Sequence, residues 1–511
     1  MKSRLLKREI IPVFVTLRTL NTVAILAGAA LPLAFAPCNW WWLAILSPAA
    51  LLWVWQDAII FPGQAFSLGL LYGLGMFGVG VSWVFVSIYW YGKTNIPISA
   101  GITLLLVLLL ASFIATQGYL LKRFFRGSST TFWLLGFPSS WVLFEWIRGW
   151  LFTGFPWLYL GYTQIDSPLS GYAPIFSVYG VSTAVALTSG ALITLLNGRR
   201  NAKIIACLVL ALVWSMGFLL KTQEYTTAYP QPFTVSLVQG NIEPFDKFTQ
   251  QDPIRSVERS YGTLTQDAWG SDLILWPESA IPEPLPPSQP FVDDLTKVAA
   301  EHHSTLITGV QFVNENGEFH NSLIALGDGR GIYHKYHLLP FGDYVPFEQW
   351  LRGLIHFFDL PMSSFVPGPE QQNLISAGPL LLDPLICYEI AFPEQVRETL
   401  RNANAIITLS EDGWFGSSWG PHQHLQIAQM RALETGRYVL RSTTSGITAI
   451  IDPKGNLTAT APQFQATVLK GTFQSMNGET PWVKIGLLPL LISLLLAFVL
   501  PGSFKKSYRR P

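Results

Sequence analysis

The stretch Pro379–Glu394, which reads PLLLDPLICYEIAFPE, decides the fold of the second half of this chain. Its apolar run ends in a thiol, Cys387, and Tyr388 and Glu389 follow at once. A short apolar run of this length predicts a buried β-strand, and a reactive side chain at its end predicts a site. The pattern also fits an inert core residue, because free cysteine packs as a small apolar side chain. The rest of the chain has to decide between these interpretations.

Composition indicates a membrane protein. The chain has 511 residues, of which 50% are hydrophobic and only 13% are charged, whereas soluble domains carry about 25% charged residues. The net charge of +1 gives no support for nucleic-acid binding. Of the three cysteines, Cys38 and Cys207 fall in apolar segments, which argues against a disulfide framework. No cysteine or histidine spacing typical of zinc sites is present, so we expect neither a metal nor a cofactor.

Apolar blocks predict a bundle of about eight transmembrane helices, because a helix of about 20 residues spans a bilayer. In the third block, Gly69, Gly73 and Gly75 fit either close helix packing or a kinked helix. The blocks are Thr22–Pro37, Trp40–Trp55, Phe66–Tyr91, Ile98–Leu121, Phe132–Ile147, Tyr172–Leu196, Lys203–Leu220 and Pro481–Leu500.

Charge placement predicts the topology. Lysine and arginine mark cytoplasmic loops, and with this helix count all the basic clusters fall on one side of the membrane. Both chain ends are therefore predicted inside and the long polar segment outside. The regions are helices in 1–222, a polar domain in 223–478, and one helix with a basic tail in 479–511. The clusters are Lys2–Arg18, Lys122–Arg126, Arg199–Lys203 and Lys505–Arg510.

The polar segment reads as an α/β domain with mixed strand directions, since strand-like runs alternate with helical stretches and short Gly or Asn turns. The Pro-rich run Glu283–Pro290 is predicted to be a loop. The predicted strands are Thr234–Val238, Leu273–Trp276, Thr305–Val310, Ser322–Leu326, Leu380–Ile386, Ala405–Leu409, Tyr438–Arg441 and Thr448–Ile451. The predicted helices are Ile254–Asp267, Phe291–Glu301 and Gln423–Glu434.

Three polar residues stand at the ends of three apolar strands: Glu278, Lys335 and Cys387. A carboxylate, an ammonium and a thiol suit covalent acyl transfer, in which the base takes the thiol proton and the cation stabilises an oxyanion. A nearby cation also lowers the pKa of a thiol. The alternative is a Glu–Lys pair at a sheet edge with an unrelated buried cysteine. The HxH pair His422 and His424 lacks companions at metal-ligand spacing, so it does not predict a metal site.

A family resemblance favours the first interpretation. Trp276-Pro277-Glu278, His334-Lys335 and Cys387-Tyr388-Glu389 resemble, in chain order, the three signature strand ends of the nitrilase superfamily. Over essentially its full length the chain is similar to the bacterial apolipoprotein N-acyltransferases. Further matching segments are Gln239–Ile242, Pro340–Pro346, Asp412–Gly416 and His424–Arg437.

The resemblance implies a fold and a reaction. The fold is an α-β-β-α sandwich attached to membrane helices. In the reaction, Cys387 takes an acyl chain from a phospholipid as a thioester, and the N-terminal amine of a diacylglyceryl-cysteine apolipoprotein then accepts it. Glu278 would act as general base and then general acid, while Lys335 and the backbone N–H of Tyr388 stabilise the oxyanion.

The resemblance also implies accessory positions. Glu389 and Asp343 are expected to hold Lys335 and shape the pocket. The family usually has Glu at position 343 and Asn at position 411, where this chain has Asp343 and Glu411. It usually has Trp at position 248. The residues expected to contact substrate are Phe248, Trp414 and Phe415. Trp414 and Phe415 fit either a mobile aromatic lid or core packing.

The implied setting is the bacterial inner membrane, with a periplasmic catalytic domain, cytoplasmic termini and a monomeric state. The partners would be a phospholipid donor, an apolipoprotein acceptor and the bilayer, without nucleic acid. The apolar spacing of Phe347–Phe358 predicts an amphipathic helix that lies either on the membrane surface or on its own domain. Two alternatives remain: a membrane-tethered amidase or nitrilase that uses water on a small amide, and a non-catalytic membrane scaffold.

Overall fold

A computed structural model of the chain describes residues 17–56, 60–125, 129–244, 247, 252–346, 364–400 and 402–507. Its first part is a bundle of apolar helices, and one further helix, Leu488–Ser507, returns to this bundle from the end of the chain. The helices of the first part are α1 (Leu17–Ala30), α2 (Leu43–Gln56), α3 (Pro62–Gly80), α4 (Ile96–Phe124), α5 (Phe137–Arg148), α6 (Ala173–Asn197) and α7 (Arg200–Lys221).

Every predicted apolar block contains a helix, but the number of membrane spans stays a prediction. Among the described residues, four helices are long and apolar enough to cross a membrane, and a bent pair would make five. The bent pair lies within the block predicted as one span over Phe66–Tyr91, and its axis turns by 51° between α3 and the helical segment Trp83–Tyr91. At the break the Ser82 hydroxyl donates to the Val79 carbonyl at 2.9 Å, which satisfies a carbonyl freed at the end of the helix.

The glycines of α3 allow close packing against α4. A Cβ atom on Gly69 would lie 2.6 Å from the carbonyl oxygen of Ile114, and one on Gly73 would lie 2.6 Å from the Cα of Ala111. Neither distance leaves room for a side chain. Of the two interpretations of these glycines, close helix packing is therefore confirmed.

In the described residues, the polar segment forms two seven-stranded mixed sheets. The strands are β1 (Thr227–Gln239), β2 (Leu273–Leu275), β3 (Ile281–Pro284), β4 (Thr305–Val313), β5 (Phe319–Gly327), β6 (Gly329–Arg330), β7 (Ile332–His334), β8 (Ile375–Ala377), β9 (Leu380–Ile386), β10 (Ala405–Ser410), β11 (Val439–Thr443), β12 (Ala449–Ile451), β13 (Leu457–Thr460) and β14 (Thr467–Asn477). One sheet has the order β14-β1-β2-β4-β5-β7, with β3 paired to β4, and the other has the order β13-β12-β11-β10-β9-β8-β6. Strands β9, β10 and β11 run parallel.

Alternating side chains place the sheets face to face between helices. In β10, Ile407 packs into the core between the sheets, whereas Ile406 packs against helices on the outer face. This alternation follows from the two-residue period of a strand. The result is an α-β-β-α sandwich. Its principal outer helices are α8 (Leu285–Glu301), α9 (Pro393–Leu400) and α10 (Gly420–Thr435).

One prediction for this domain is wrong, and another is confirmed with one difference. The run Glu283–Pro290 is not a loop, because β3 ends at Pro284 and α8 begins at Leu285. Pro286 and Pro287 lie in the first turn of α8, where a backbone N–H has no partner within the helix, whereas Pro290 lies inside the helix. The predicted helix Ile254–Asp267 is helical from Pro253 to Thr265, but its middle segment, Glu258–Gly262, is a π-helix.

Helix α10 joins the sandwich to the apolar bundle. Inside α6 the backbone leaves the helical conformation at Ser177, whose φ is 59°. The carboxylate of Glu434 on α10 accepts hydrogen bonds from the Ser177 hydroxyl and the Val178 N–H, each at 2.6 Å. It thereby caps the second half of α6. Arg431 pairs with the same carboxylate at 2.9 Å.

Candidate active site

The three predicted strand ends meet at one edge of the sandwich. The Nζ of Lys335 lies 3.7 Å from Oε1 of Glu278 and 2.7 Å from Oδ2 of Asp343. Glu278 follows β2, Lys335 follows β7 and Cys387 follows β9. The charges of Glu278 and Lys335 both act on the Cys387 thiol. The structure thus brings together all three residues of the predicted triad and Asp343.

Hydrogen bonds hold both oxygens of the Glu278 carboxylate. Asn321 Nδ2 donates to Oε1 at 2.8 Å, and the backbone N–H of Glu411 donates to Oε2 at 2.8 Å. Only 6% of Glu278 is exposed. A carboxylate fixed in this way keeps one orientation towards its neighbours, as a general base requires.

Lys335 is an ammonium group in this setting. Burial lowers its pKa, but the carboxylates of Asp343 and Glu278 outweigh burial and raise the pKa above its usual value. Asp343 is itself fixed by the N–H of Leu339, which donates to Oδ2 at 2.7 Å. Asp343, at the position where Glu is usual, therefore contacts Lys335 directly.

Cys387 lies at a sharp turn between β9 and the 3-10 helix Cys387–Ala391. Its φ is 53°, an uncommon and strained value for a residue with a side chain. The N–H of Tyr388 belongs to the first turn of that helix, where N–H groups lack carbonyl partners within the helix. The Tyr388 N–H directly follows the residue that carries the thiol.

Burial and the Glu278 charge raise the pKa of the Cys387 thiol well above its usual value, and the opposing effect of Lys335 is smaller. A nearby cation alone would have lowered this pKa, as the sequence suggested. Cys387 therefore rests as a neutral thiol. A reaction at this sulfur would require a base that removes the proton as the sulfur attacks, and Glu278 is the carboxylate with the largest effect on the thiol.

A second buried cluster supports the Cys387 turn from behind. His424 donates from Nε2 to the Cys387 carbonyl at 3.1 Å, and its Nδ1 lies 2.9 Å from Oδ1 of Asp412. Arg441 donates to the other oxygen of Asp412. Burial raises the pKa of Asp412, but Arg441 and His424 outweigh burial and lower it to about 2. These contacts explain His424 without a metal.

Among the described residues, five donors form hydrogen bonds with the buried Glu389 carboxylate. The donors within or beside the chain segment of Lys335 are the Tyr333 hydroxyl and the N–H groups of Tyr336 and His337. The others are the N–H of Ile386 and the amide of Gln395. The predicted support of Lys335 by Glu389 thus runs through the backbone: Glu389 ties the Lys335 segment to the end of β9.

The predicted substrate residues lie towards the apolar helices. Phe415 packs edge-on against Trp83, with ring centroids 4.8 Å apart, and Trp414 packs edge-on against Tyr91 at 5.4 Å. The Tyr388 hydroxyl donates to the Gly154 carbonyl at 3.1 Å. The site therefore lies where the sandwich meets the bundle. Phe248 and the predicted helix Phe347–Phe358 lie outside the described residues.

Several residues of the site escaped the sequence analysis. Lys247 forms a buried ion pair with Glu411 beside Glu278, and no pattern around this lysine singled it out. Asn321 lies in the middle of β5 without any motif. The adjacent acids Glu411 and Asp412, directly after a buried strand, were a usable signal for further charges. In the part of the chain that the structure describes, no group of three or more His, Cys, Asp or Glu is arranged to hold a metal ion.

A thiol, a carboxylate and an ammonium at the strand ends of such a sandwich define the nitrilase-like class. Residues 234–481 match the family model described as Carbon-nitrogen hydrolase. Residues 27–191 match the model described as Apolipoprotein N-acyltransferase N-terminal domain. Among solved structures, an amidase from Nesterenkonia sp. AN1 is similar with 16% identity, a TM-score of 0.37, and coverage of 52% of this chain and 97% of that chain.

Bacterial relatives resemble the whole chain. The apolipoprotein N-acyltransferase of Coxiella burnetii is 43% identical, and the match covers 94% of this chain and 100% of the relative. Those of Azotobacter vinelandii (41%) and Photobacterium profundum (40%) each match over 94% of both chains. The chain belongs to the apolipoprotein N-acyltransferase family.

Proposed function

We propose that this enzyme transfers an acyl chain from a phospholipid to the N-terminal amine of a diacylglyceryl-cysteine apolipoprotein through a thioester on Cys387. The observation that carries the proposal is the buried cluster of Cys387, Glu278 and Lys335 at the junction with the apolar helices, with Lys335 3.7 Å from Glu278. An acyl chain can reach such a junction without crossing water.

In the first half-reaction, the Glu278 carboxylate removes the proton of the Cys387 thiol while the sulfur attacks the acyl ester carbonyl. A carbon–sulfur bond forms and the carbonyl oxygen becomes an oxyanion. The carbon–oxygen bond to the glycerol then breaks, and Glu278 returns the proton to the leaving alkoxide. The products are a lysophospholipid and the acyl thioester.

In the second half-reaction, the α-amine of the acceptor attacks the thioester carbonyl. Glu278 takes a proton from the amine, the carbon–sulfur bond breaks, and the proton is returned to the Cys387 sulfur. An amide replaces the thioester and the enzyme is regenerated. A single thiol serves both substrates in turn, which predicts ping-pong kinetics.

Lys335 and the N–H of Tyr388 stabilise the oxyanion in both half-reactions. Support for this role comes from the ammonium state of Lys335 and from the position of the Tyr388 N–H at the start of a helical turn. Asp343 positions Lys335 through the 2.7 Å contact. Glu389 positions the backbone on either side of the site.

The donor's acyl chain lies against Trp414 and Phe415, and Phe248, which lies outside the described residues, is a further candidate for substrate contact. The edge-on contacts of Trp414 with Tyr91 and of Phe415 with Trp83 support this assignment. They make an aromatic surface that continues from the sandwich into the apolar bundle, and such a surface suits hydrocarbon.

The enzyme works as a monomer in the bacterial inner membrane, with about eight spans, cytoplasmic termini and a periplasmic catalytic domain. We assign the helices to 1–222 and 479–511 and the catalytic domain to 223–478. The basic clusters support this orientation. Fusion of a reporter that is active only in the periplasm within the turn at Asn316-Gly317 should give signal, and fusion at the C-terminus should not.

The decisive experiment traps the thioester. Purified full-length enzyme is incubated with phospholipid carrying a labelled acyl chain, and the Cys387 peptide is examined by mass spectrometry. We expect an acyl mass on wild type and on Cys207→Ser, the matched control, but not on Cys387→Ser. Addition of a diacylglyceryl peptide should discharge the label as an amide. Acyl transfer by Cys387→Ser at the wild-type rate would refute the proposal, and release of free fatty acid instead of amide would indicate a hydrolase.

A further inference from the structure

Two further buried charges lie beside the Glu278 carboxylate. Lys247 and Glu411 form an ion pair, and only 5% and 6% of the two residues are exposed. Neither belongs to the triad. A buried ion pair seldom stabilises a fold more than apolar residues of the same size would. Its presence next to the reacting groups therefore requires another explanation.

Both members of the pair are attached to Glu278. The Lys247 ammonium donates to the Glu278 backbone carbonyl at 3.4 Å and to the Thr444 hydroxyl at 2.9 Å. The Glu411 N–H donates to the Glu278 carboxylate at 2.8 Å. The Glu411 carboxylate is held in turn by the N–H of Gly413 at 3.2 Å. Lys247 thus contacts the backbone of the base through its ammonium, and Glu411 contacts the carboxylate of the base through its backbone N–H.

We propose that Lys247 and Glu411 are a positioning pair that sets both the orientation of Glu278 and the net charge beside it. The proposal rests on the assignment of Glu278 as the base of the proposed function. Lys247 and Glu411 both contact Glu278, and the Glu411 backbone also hydrogen-bonds the Cys387 thiol. They act through Glu278, because the pair ties the chain after β1 to the ends of β2 and β10.

The charges around Glu278 explain why the pair must stay intact. On one side lie Lys335, Asp343 and the Cys387 thiol. On the other side Lys247 and Glu411 cancel each other. Loss of Glu411 alone leaves an additional cation beside Glu278 and favours the carboxylate. Loss of Lys247 alone leaves an additional anion and favours the protonated acid, which cannot accept the thiol proton.

The test compares Glu411→Gln, Lys247→Met and the double variant in the full-length protein. Alkylation of Cys387 by iodoacetamide, followed on the Cys387 peptide by mass spectrometry, reports removal of the thiol proton as a function of pH. The acid limb of this profile is the low-pH range in which the alkylation rate rises. We expect the limb to shift to lower pH by about one unit in Glu411→Gln and to higher pH by about one unit in Lys247→Met. In the double variant the limb should return towards wild type.

Matched controls separate positioning from folding. Lys454→Met and Glu224→Gln remove another Lys–Glu pair, which is exposed and 2.8 Å apart, and should leave the limb unmoved. Lys247→Arg should keep the wild-type limb. If Lys247→Met does not fold, the direction of the shift in Glu411→Gln decides alone. An unmoved limb in Glu411→Gln, or shifts of the same sign in both single variants, would overturn the proposal.

The alkylation readout also separates this proposal from the proposed function, because it needs no acyl donor. If the limb shifts in opposite directions in the two single variants but the enzyme takes no acyl chain from phospholipid, the positioning pair is supported and the phospholipid reaction is refuted. If the acyl-enzyme forms but the limb does not move, the phospholipid reaction is supported and the positioning pair is refuted. The same variants, assayed with labelled phospholipid, should show the change in the rate of acylation and not in the apparent affinity for the lipid.

Discussion

The contact between Glu434 and the break in α6 gives a stability prediction whose size follows from the structure. The carboxylate accepts 2.6 Å hydrogen bonds from the Ser177 hydroxyl and the Val178 N–H. It also pairs with Arg431 at 2.9 Å, and both charged side chains are completely buried. Glu434→Gln keeps the shape of the side chain but removes the charge, so Arg431 becomes a buried cation without its partner.

Breaking a buried pair from one side costs about 3–5 kcal/mol, which is a large part of the stability of a typical domain. We expect Glu434→Gln to lower the unfolding free energy of the full-length protein by this amount. The measurement is reversible unfolding by SDS in mixed micelles, followed by tryptophan fluorescence. The double variant Arg431→Met/Glu434→Gln should recover part of the loss, because it leaves no charge unpaired.

The matched control is Glu224→Gln, which breaks the exposed pair of Glu224 with Lys454. Exposed pairs contribute little, so this variant should unfold like wild type. If Glu434→Gln also unfolded like wild type, the carboxylate would not be holding α10 to the broken helix, and the argument for a firm junction would fail.

Three further predictions concern other parts of the molecule. Asp343→Asn should slow acyl-enzyme formation more than tenfold and destabilise the protein by about 3 kcal/mol, because the buried Lys335 loses its nearest anion; Asp343→Glu should keep more activity, and equal losses in both would contradict a role for the charge. The pKa of Asp412 is about 2 in the folded protein, so above pH 4 its charged form should contribute about 2 kcal/mol to the free energy of unfolding, and this contribution should be lost as the pH falls to about 2. In Asp412→Asn the free energy of unfolding should depend less on pH in that range. Gly73→Ala should destabilise the helix bundle by about 1–3 kcal/mol, whereas Gly78→Ala, on the same helix with open space beside it, should be neutral, and similar effects of the two would refute close packing at Gly73.

The sequence predicts the strands best where the sandwich buries them on both faces. Leu380–Ile386 was predicted with its observed bounds, because a run of apolar residues needs no partner to be recognised. β14, Thr467–Asn477, was missed because it pairs with β1 at the sheet edge and keeps polar residues along much of its length. Edge strands carry a weaker apolar pattern than central ones.

The residues of the candidate site also fall into two groups, those that the sequence predicts and those that it does not. Glu278, Lys335 and Cys387 stand directly after buried strands, so local pattern and resemblance together find them. Lys247 and Asn321 reach the site only through tertiary packing, since one lies beyond the end of β1 and the other lies within β5. Nothing in the neighbouring residues reports a contact made across 164 positions of sequence, such as that of Lys247 with Glu411.

The raised pKa of Cys387 has a consequence for the durability of the enzyme. Peroxide and other electrophiles attack thiolates far faster than thiols. A sulfur that keeps its proton until a substrate carbonyl is in place presents little thiolate between turnovers. We therefore expect the resting enzyme to survive air and mild oxidants without an added reductant, although the proposed reaction depends on a single sulfur atom.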